Sequence, residues 1–293
     1  MFARRQAAHE ATVDEPISVT YAGVDVYEMP PNGQGITALI ALNILKHFDL
    51  AAMEVGSAEY THVLIEALRL AFADTLHYVA DPRVTNVPID ELLSEAYAAE
   101  RAALIDTETA SEANTGAPFA SSNTVYLCVV DGDGNAASFI NSNYAGFGSG
   151  IVPQGCGFTL QNRGANFVLE NDHPNVLAPG KRPYHTIIPG MAVKDGALWA
   201  PFGVMGGFMQ PQGHVQVLSA MLNHGLGPQA ALDAPRFCID VLDDSKAPRT
   251  RSRVLVEDSM PAAVVERLRA MGHDVEVLSG LKRTTFGQGQ VGS

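Results

Sequence analysis

Residues 123–135, Asn-Thr-Val-Tyr-Leu-Cys-Val-Val-Asp-Gly-Asp-Gly-Asn, constrain the fold more than any other stretch of the chain. From Val125 to Val130 the side chains are β-branched, aromatic or apolar, which suits a buried strand. The Asp-Gly-Asp-Gly-Asn run that follows is a strong signal for a tight reversal. Residues 136–142 then supply the returning strand of a β-hairpin. Upstream, residues 107–122 are small and polar with no apolar periodicity, and predict an exposed, flexible segment. That segment runs straight into the hairpin at Asn123-Thr124.

The junction has a chemical consequence. A threonine hydroxyl is a weak nucleophile at neutral pH and needs a base beside it. If the chain is cut in front of Thr124, the freed α-amine, which titrates near pH ~8, is such a base on the same residue. A mobile segment entering a strand whose first residue carries a hydroxyl is the layout of an enzyme that works through an N-terminal nucleophile. Thr is also common in strands, and the local pattern by itself fits a Thr124 that merely begins one.

The bulk properties exclude several classes. The 293 residues suffice for a large core, in one domain or two intertwined layers, and 46% hydrophobic with 17% charged residues is a globular composition. A formal net charge of −13 with no basic stripe argues against nucleic-acid and anionic-membrane partners. Cys128, Cys156 and Cys238 are odd in number and far apart, with neither CxxC nor zinc spacing, and read as buried free thiols. No His, Asp or Glu set has metal-ligand spacing, so neither a metal nor a cofactor is expected. The longest apolar run, residues 36–45, is too short to span a bilayer. Met-Phe-Ala-Arg-Arg-Gln opens the chain with no apolar segment behind it. No signal peptide is read, and a cytoplasmic location is expected, or a periplasmic or secreted one if the true N-terminus lies further upstream.

Along the chain, 17–21 and 24–27 read as short strands joined at Ala22-Gly23, and 30–35 as a turn opening an apolar helix over 36–46. Ser57 caps a second helix running to about Val79, before Asp81-Pro82. Another helix starts near Asp90, within 88–105. The loop 143–150 has glycines at i, i+2 and i+4, which is neither GxGxxG nor a P-loop. Residues 158–161 read as a strand, and 171–189 as a loop. A second hairpin, 191–194 with 198–202, turns at Asp195-Gly196. Helices follow over 210–223 and from Pro228 to before Pro235, then a strand at 253–257, an amphipathic helix at 260–271 and a last strand at 275–278. His214 and His224 fall in helices and read as structural; Asp243-Asp244 and Glu257-Asp258 read as solvated. Hairpins first and helices after them predict an antiparallel sandwich with helices outside, rather than an alternating parallel α/β sheet.

In this order the motifs resemble the γ-glutamyltranspeptidase family of N-terminal-nucleophile hydrolases, from about Glu15 to the end. The resemblance rests on Val26-Tyr27-Glu28-Met29-Pro30-Pro31; on 124–136, ending Val-Val-Asp-Gly-Asp-Gly-Asn-Ala; on Phe147-Gly148-Ser149-Gly150; on Pro179-Gly180-Lys181-Arg182-Pro183; on Gly206-Gly207; and on Ala234-Pro235-Arg236-Phe237. It implies an α+β fold, the αββα four-layer sandwich of that superfamily, here partial. It implies a precursor that cuts itself at Asn123–Thr124 by an N→O acyl shift. Residues 1–123 are then the C-terminal part of a large subunit with its linker, and 124–293 the small catalytic subunit of a heterodimer. Thr124 would attack a small γ-glutamyl amide such as glutathione and pass the acyl group to water or an amino acid. By position, Ser142 assists the nucleophile, and Gly206 and Gly207 form an oxyanion hole, where one N–H donor is worth roughly 3 kcal/mol. Without the resemblance, Gly206-Gly207 reads as a plain strand-to-helix turn.

The chain also departs from the family pattern. The family holds the α-amino group of its substrate with acids in the block after the Gly-rich loop; here that block is Gln161-Asn162-Arg163-Gly164-Ala165-Asn166-Phe167, with Arg163 and Asn166 where acids stand. An arginine repels an ammonium and attracts a carboxylate or carbonyl. Where the family has paired serines after Lys181-Arg182-Pro183, this chain has His185 and Thr186, and Tyr144 replaces an asparagine. These substrate-site positions point to a divergent branch near the cephalosporin (glutaryl) acylases, although a salt-bridged structural Arg163 fits the sequence as well. Family precursors are much longer at the N-terminus, so a fragment, or an inactive homologue needing a partner chain, is the remaining expectation.

Overall fold

The computed structural model describes residues 10–111, 123–240 and 252–292. Ile17–Tyr21 (β1) and Val24–Glu28 (β2) reverse at Ala22-Gly23, whose φ angles of 48° and 78° are those of the tight turn that matches strand twist. Gly35–Leu45 (α1) is apolar nearly all round and every residue in it is buried, as a core helix requires. Ala58–Tyr78 (α2) starts where the Ser57 hydroxyl accepts the Tyr60 N–H at 3.2 Å. Ile89–Leu92 (α3) and Glu95–Ala102 (α4) follow, the second capped by Ser94. Asn123–Val130 (β3) and Ala136–Tyr144 (β4) form the hairpin expected from its turn. Gly190–Lys194 (β5) and Ala197–Val204 (β6) form another, turning at Asp195-Gly196. Then come Met209–His224 (α5), closed by left-handed Gly225, and Pro228–Asp233 (α6), opened by its proline. Phe237–Ile239 (β7), Val254–Glu257 (β8), Ala262–Ala270 (α7), Val275–Leu278 (β9) and Gly289–Val291 (β10) complete the order.

These elements stack in layers. The main sheet runs β1-β2-β5-β6-β10 and is antiparallel throughout. Helices α1 and α5 cover one face, pinned by Tyr21 Oη donating to Asn223 Oδ1 at 2.6 Å. The β3–β4 hairpin crosses the other face, where the Tyr126 ring lies on Gly203 of β6. A Cβ at Gly203 would fall 2.5 Å from two ring carbons, so only glycine lets the two sheets meet there. We expect Gly203→Ala to cost about 1–3 kcal/mol in urea unfolding; an unchanged midpoint would mean the hairpin does not seat on β6. Beside the sandwich, β7-β8-β9 forms a small sheet. Deep between α2 and this unit, Arg69 Nη1 meets Glu66 Oε1 at 2.6 Å and Nη2 donates to Ser252 O at 2.9 Å, with both ionic side chains buried.

The structure corrects several expectations. The β3 strand is buried on one face only: Thr124 and Tyr126 point inward, while Val125 is 68% exposed and Leu127, Val129 and Phe139 of the outer face are exposed too. An apolar run without alternation cannot tell a two-sided strand from a one-sided one. Among the described residues no helix covers the hairpin's outer face, in keeping with the partial αββα sandwich that is expected. Residues 158–161 are not a strand; Leu160 bonds Ile151 and Ser149 without a continuing ladder. The helix expected from Asp90 is split into α3 and α4. The strand pair β8–β9 is parallel, with α7 as its crossover, so the small sheet beside the antiparallel sandwich is mixed. Cys156 is exposed, not buried. Glu257 is buried, accepting from the Arg236 N–H at 2.8 Å and the Arg283 guanidinium at 3.0 Å, so it is not simply solvated. Of the polar stretch 107–122, Ala110 is buried and donates to Met271 O, and Ser111 donates to Glu66 Oε2 at 2.9 Å; residues 112–122 lie outside the described residues, as does Asp243-Asp244.

Candidate active site around Thr124

The register of the hairpin breaks at the expected junction. Thr124 pairs with Ser142, but Asn123 pairs with Tyr144, leaving Asn143 as the extra residue of a bulge. Bulges re-aim side chains, and this one carries backbone strain: Tyr144 sits at φ 76°, in the left-handed region that non-glycine residues avoid. The bulge turns the Ser142 hydroxyl into a junction. Its Oγ accepts from Thr124 Oγ1 at 3.0 Å and from the Tyr144 N–H at 2.9 Å. Thr124 itself is buried at the start of β3.

From Ser142 a continuous set of hydrogen bonds reaches the glycines after β6. Arg163 Nη1 donates to Ser142 O and Arg163 Nε to Thr186 Oγ1, both at 3.1 Å. Gln34 Nε2 then donates to Thr186 O at 2.7 Å and to Gly207 O at 2.8 Å. Gly206 and Gly207 have φ of 136° and 63°, a path that a side chain would strain. Their carbonyls accept from Met209 and Gln210 at the start of α5, while among the described residues neither glycine N–H finds an acceptor. Nucleophile candidate, hydroxyl partner, arginine and unspent N–H groups therefore share one network.

Arg163 is fully buried, and desolvation pushes its guanidinium down to about 10. It lies over the Tyr144 ring at 5.8 Å, and burial pushes that phenol up to about 12. Among the described residues Arg163 makes no salt bridge, the alternative that fits the sequence; its side chain meets a carbonyl, a hydroxyl and a ring. His185 is part-buried and driven down to about 3 by desolvation, then by Arg163 and Arg182, so it is neutral at physiological pH. Its backbone bridges Gly33, and its Nδ1 accepts the Ile187 N–H at 3.3 Å. Asn166 spends its amide on Tyr184 O at 3.0 Å, and its own carbonyl accepts from Asn175, so it holds the 163–184 loop in shape.

Sequence reading missed two supporting residues. Gln34 sat in a stretch read only as a turn, and no local pattern marks a glutamine that reaches over 150 residues away. Glu28 was quoted within a motif but given no role. In the structure its Oε1 is 2.6 Å from His214 Nδ1, with both side chains buried, and burial pushes the Glu28 carboxyl upward. His214 Nε2 accepts the Val204 N–H at 3.2 Å, which fixes the proton on Nδ1, facing Glu28. This pair braces the end of β6 directly before Gly206-Gly207.

One further cluster concerns metals. His62, Glu66 and His273 place ligand atoms within 4.8 Å of one another, a set no spacing rule finds because the histidines are 211 residues apart. Hydrogen bonds account for it. The Asp106 carbonyl can only accept from His62 Nε2, at 2.8 Å, so His62 Nδ1 accepts from His273 Nε2 at 2.7 Å.

Known proteins resemble this chain along its whole described length. Residues 6–291 match the family model described as gamma-glutamyltranspeptidase. The chain is 38% identical to the glutathione hydrolase-like YwrD proenzyme of Bacillus subtilis over 92% of its own length and 50% of that protein. It is 33% identical to the oxamate amidohydrolase proenzyme of Klebsiella pneumoniae, over 93% of this chain and 50% of that one. Among solved structures, a cephalosporin acylase from Bacillus halodurans superposes with a TM-score of 0.85 at 46% identity, over 98% of this chain and 50% of that one. The chain thus spans about half the length of the relatives it matches, and shares the mixed α/β fold of N-terminal-nucleophile hydrolases.

Proposed function

Since this chain belongs to the γ-glutamyltranspeptidase family, we propose that it is an autoprocessed acyltransferase or hydrolase whose nucleophile is Thr124, acting on small acyl amides of the γ-glutamyl kind. The chain cuts itself at Asn123–Thr124, giving 1–123 as part of a large subunit and 124–293 as the small one. The observation that carries this reading is the hydroxyl pair at the bulge: Thr124 Oγ1 and Ser142 Oγ at 3.0 Å.

Before cleavage, Thr124 Oγ1 attacks the Asn123 carbonyl; the C–N bond breaks, which frees the α-amine and leaves an ester, and water then hydrolyses the ester to the Asn123 carboxylate and the Thr124 hydroxyl. In turnover that amine takes the Thr124 proton as Oγ1 attacks the amide carbonyl. The oxyanion forms against the Gly206 and Gly207 N–H groups, the C–N bond breaks and the proton goes to the leaving amine. Water or an amino acid then takes the acyl group from Thr124. Ser142 holds the hydroxyl in line; Glu28 and His214 hold the strand that delivers the glycines. Names of relatives such as glutathione hydrolase-like and amidohydrolase proenzymes support the reaction class.

The test is to incubate the protein with an activated γ-glutamyl ester, quench, and map the acyl adduct by peptide mass. An adduct on Thr124 alone is expected; one on Ser142 or on Cys156 would displace Thr124 from its role. A second reading, an inactive or truncated homologue that needs a partner chain, is favoured by the exposed outer face of the β3–β4 hairpin. It predicts no adduct at all.

A further inference from the structure

The Ala234-Pro235-Arg236-Phe237 block has no part in the Thr124 site. It lines a separate cavity of about 290 Å³, near the lower end of the ~300–1,000 Å³ of small-molecule sites. The cavity lies between the start of α2, the second half of α5, α6 and β7. Helix α5 covers the face of the main sheet opposite the β3–β4 hairpin, so this cavity and Thr124 are on opposite sides of that sheet. Most of the lining is apolar, with Leu64, Ala220, Leu226 and Met260 among its walls. Gln216 of α5 holds one side of it in shape: its Nε2 donates to Phe237 O and its Oε1 accepts the Phe237 N–H, both at 3.0 Å.

Arg236 is the exception in this lining. Among the described residues its guanidinium makes neither a hydrogen bond nor an ion pair, and Nε and Nη1 are shut off from solvent. Burial pushes the guanidinium down from its ordinary value. The acids that bear on it are engaged elsewhere. Glu257 Oε2 accepts the Arg236 backbone N–H at 2.8 Å and its Oε1 the Arg283 guanidinium at 3.0 Å, while Asp233 Oδ1 accepts from Gln229 at 2.9 Å. A desolvated cation without a counter-charge is costly, and a carboxylate relieves that cost best. Two hydroxyl residues, Thr61 and Ser259, line the same cavity. We propose that the cavity binds a medium-chain aliphatic carboxylate, its head on the Arg236 guanidinium and its chain along Leu64, Ala220, Leu226 and Met260. One guanidinium matches a single negative charge, and the apolar walls match a hydrocarbon tail rather than a polyol or a phosphate. The site does not depend on Thr124 or on cleavage of the chain.

Octanoate is titrated calorimetrically into the full chain beside 1-octanol, which keeps the tail, and acetate, which keeps the head. Octanoate should bind at least about 10-fold tighter than either. Arg236→Met should weaken octanoate at least about 10-fold and leave Tm unchanged or raised, because methionine fills the same space without a buried charge to compensate. Ala220→Leu, which fills part of the cavity from α5 and keeps the arginine, should weaken octanoate by as much. The absence of saturable octanoate binding, or 1-octanol binding as tightly as octanoate, overturns the assignment. So does binding within about 2-fold of wild type in both variants, which would put the tail on another apolar face such as that of the β3–β4 hairpin. A Tm loss of more than about 4 °C in Arg236→Met would show that the arginine already has a structural counter-charge, and overturns it as well.

Discussion

Replacing Thr124 by alanine is expected to lower amide turnover by about 10⁴-fold or more, because it removes the attacking oxygen and no neighbour stands in the same place. The loss is chemical, not structural. Thr124 is buried, but alanine deletes only a methyl and a hydroxyl, and Ser142 keeps its bond from the Tyr144 N–H. Tm should therefore move by no more than about 4 °C. Thr124→Ser restores the oxygen and should recover a substantial part of the rate. The pH profile carries an independent sign. The base is the α-amine of the same residue, which must be neutral to accept the proton, so kcat/KM should fall on the acid side of about pH 8. A profile flat down to pH 6 would point to a different base. Ser142 is not that base, and His185, held neutral by burial, hydrogen-bonds through Nδ1 to its own loop.

The largest effect on stability is expected at Arg69. Its guanidinium bonds Glu66 at 2.6 Å and the Ser252 carbonyl at 2.9 Å, with neither ion of the pair in contact with solvent. Removing one member strands the other charge in a medium that cannot solvate it, a loss of about 3–5 kcal/mol. Arg69→Met should therefore lower the urea midpoint far more than any surface substitution. Adding Glu66→Gln removes the stranded charge and keeps an acceptor for the Ser111 N–H, so the double variant should recover much of the loss. Equal stability of single and double variants would show that Glu66 is solvated or protonated in the folded chain. The same pair ties α2 to the start of β8 and to residue 111, the last described residue before the segment that leads to Asn123.

Much of this arrangement was legible in the sequence, for identifiable reasons. Turn chemistry located the β3–β4 and β5–β6 hairpins, because Asp-Gly pairs leave few alternatives. Ser57 located the start of α2, because a hydroxyl cap has a local signature. Thr124, Ser142, Gly206 and Gly207 become candidates only through a resemblance that spans the chain, and the structure brings the first two into hydrogen-bond contact. What stayed hidden is non-local. Gln34 and Glu28 act on partners more than 150 residues away, and nothing in their own neighbourhoods announces it. The one-sided burial of β3 depends on which layers surround it, a property that Val125, Leu127 and Val129 cannot encode by themselves. The crossover β8-α7-β9 was misread because a single parallel pair at the margin leaves no change in hydrophobic period.

The central claim is that Thr124 becomes an N-terminal nucleophile, and the intact mass of the purified protein after incubation at neutral pH tests it most directly. Two fragments meeting at Asn123–Thr124, absent when Thr124 is replaced by alanine, are the predicted result. A single full-length mass in wild type and variant alike would contradict it, and would leave the family fold standing without the chemistry proposed for it.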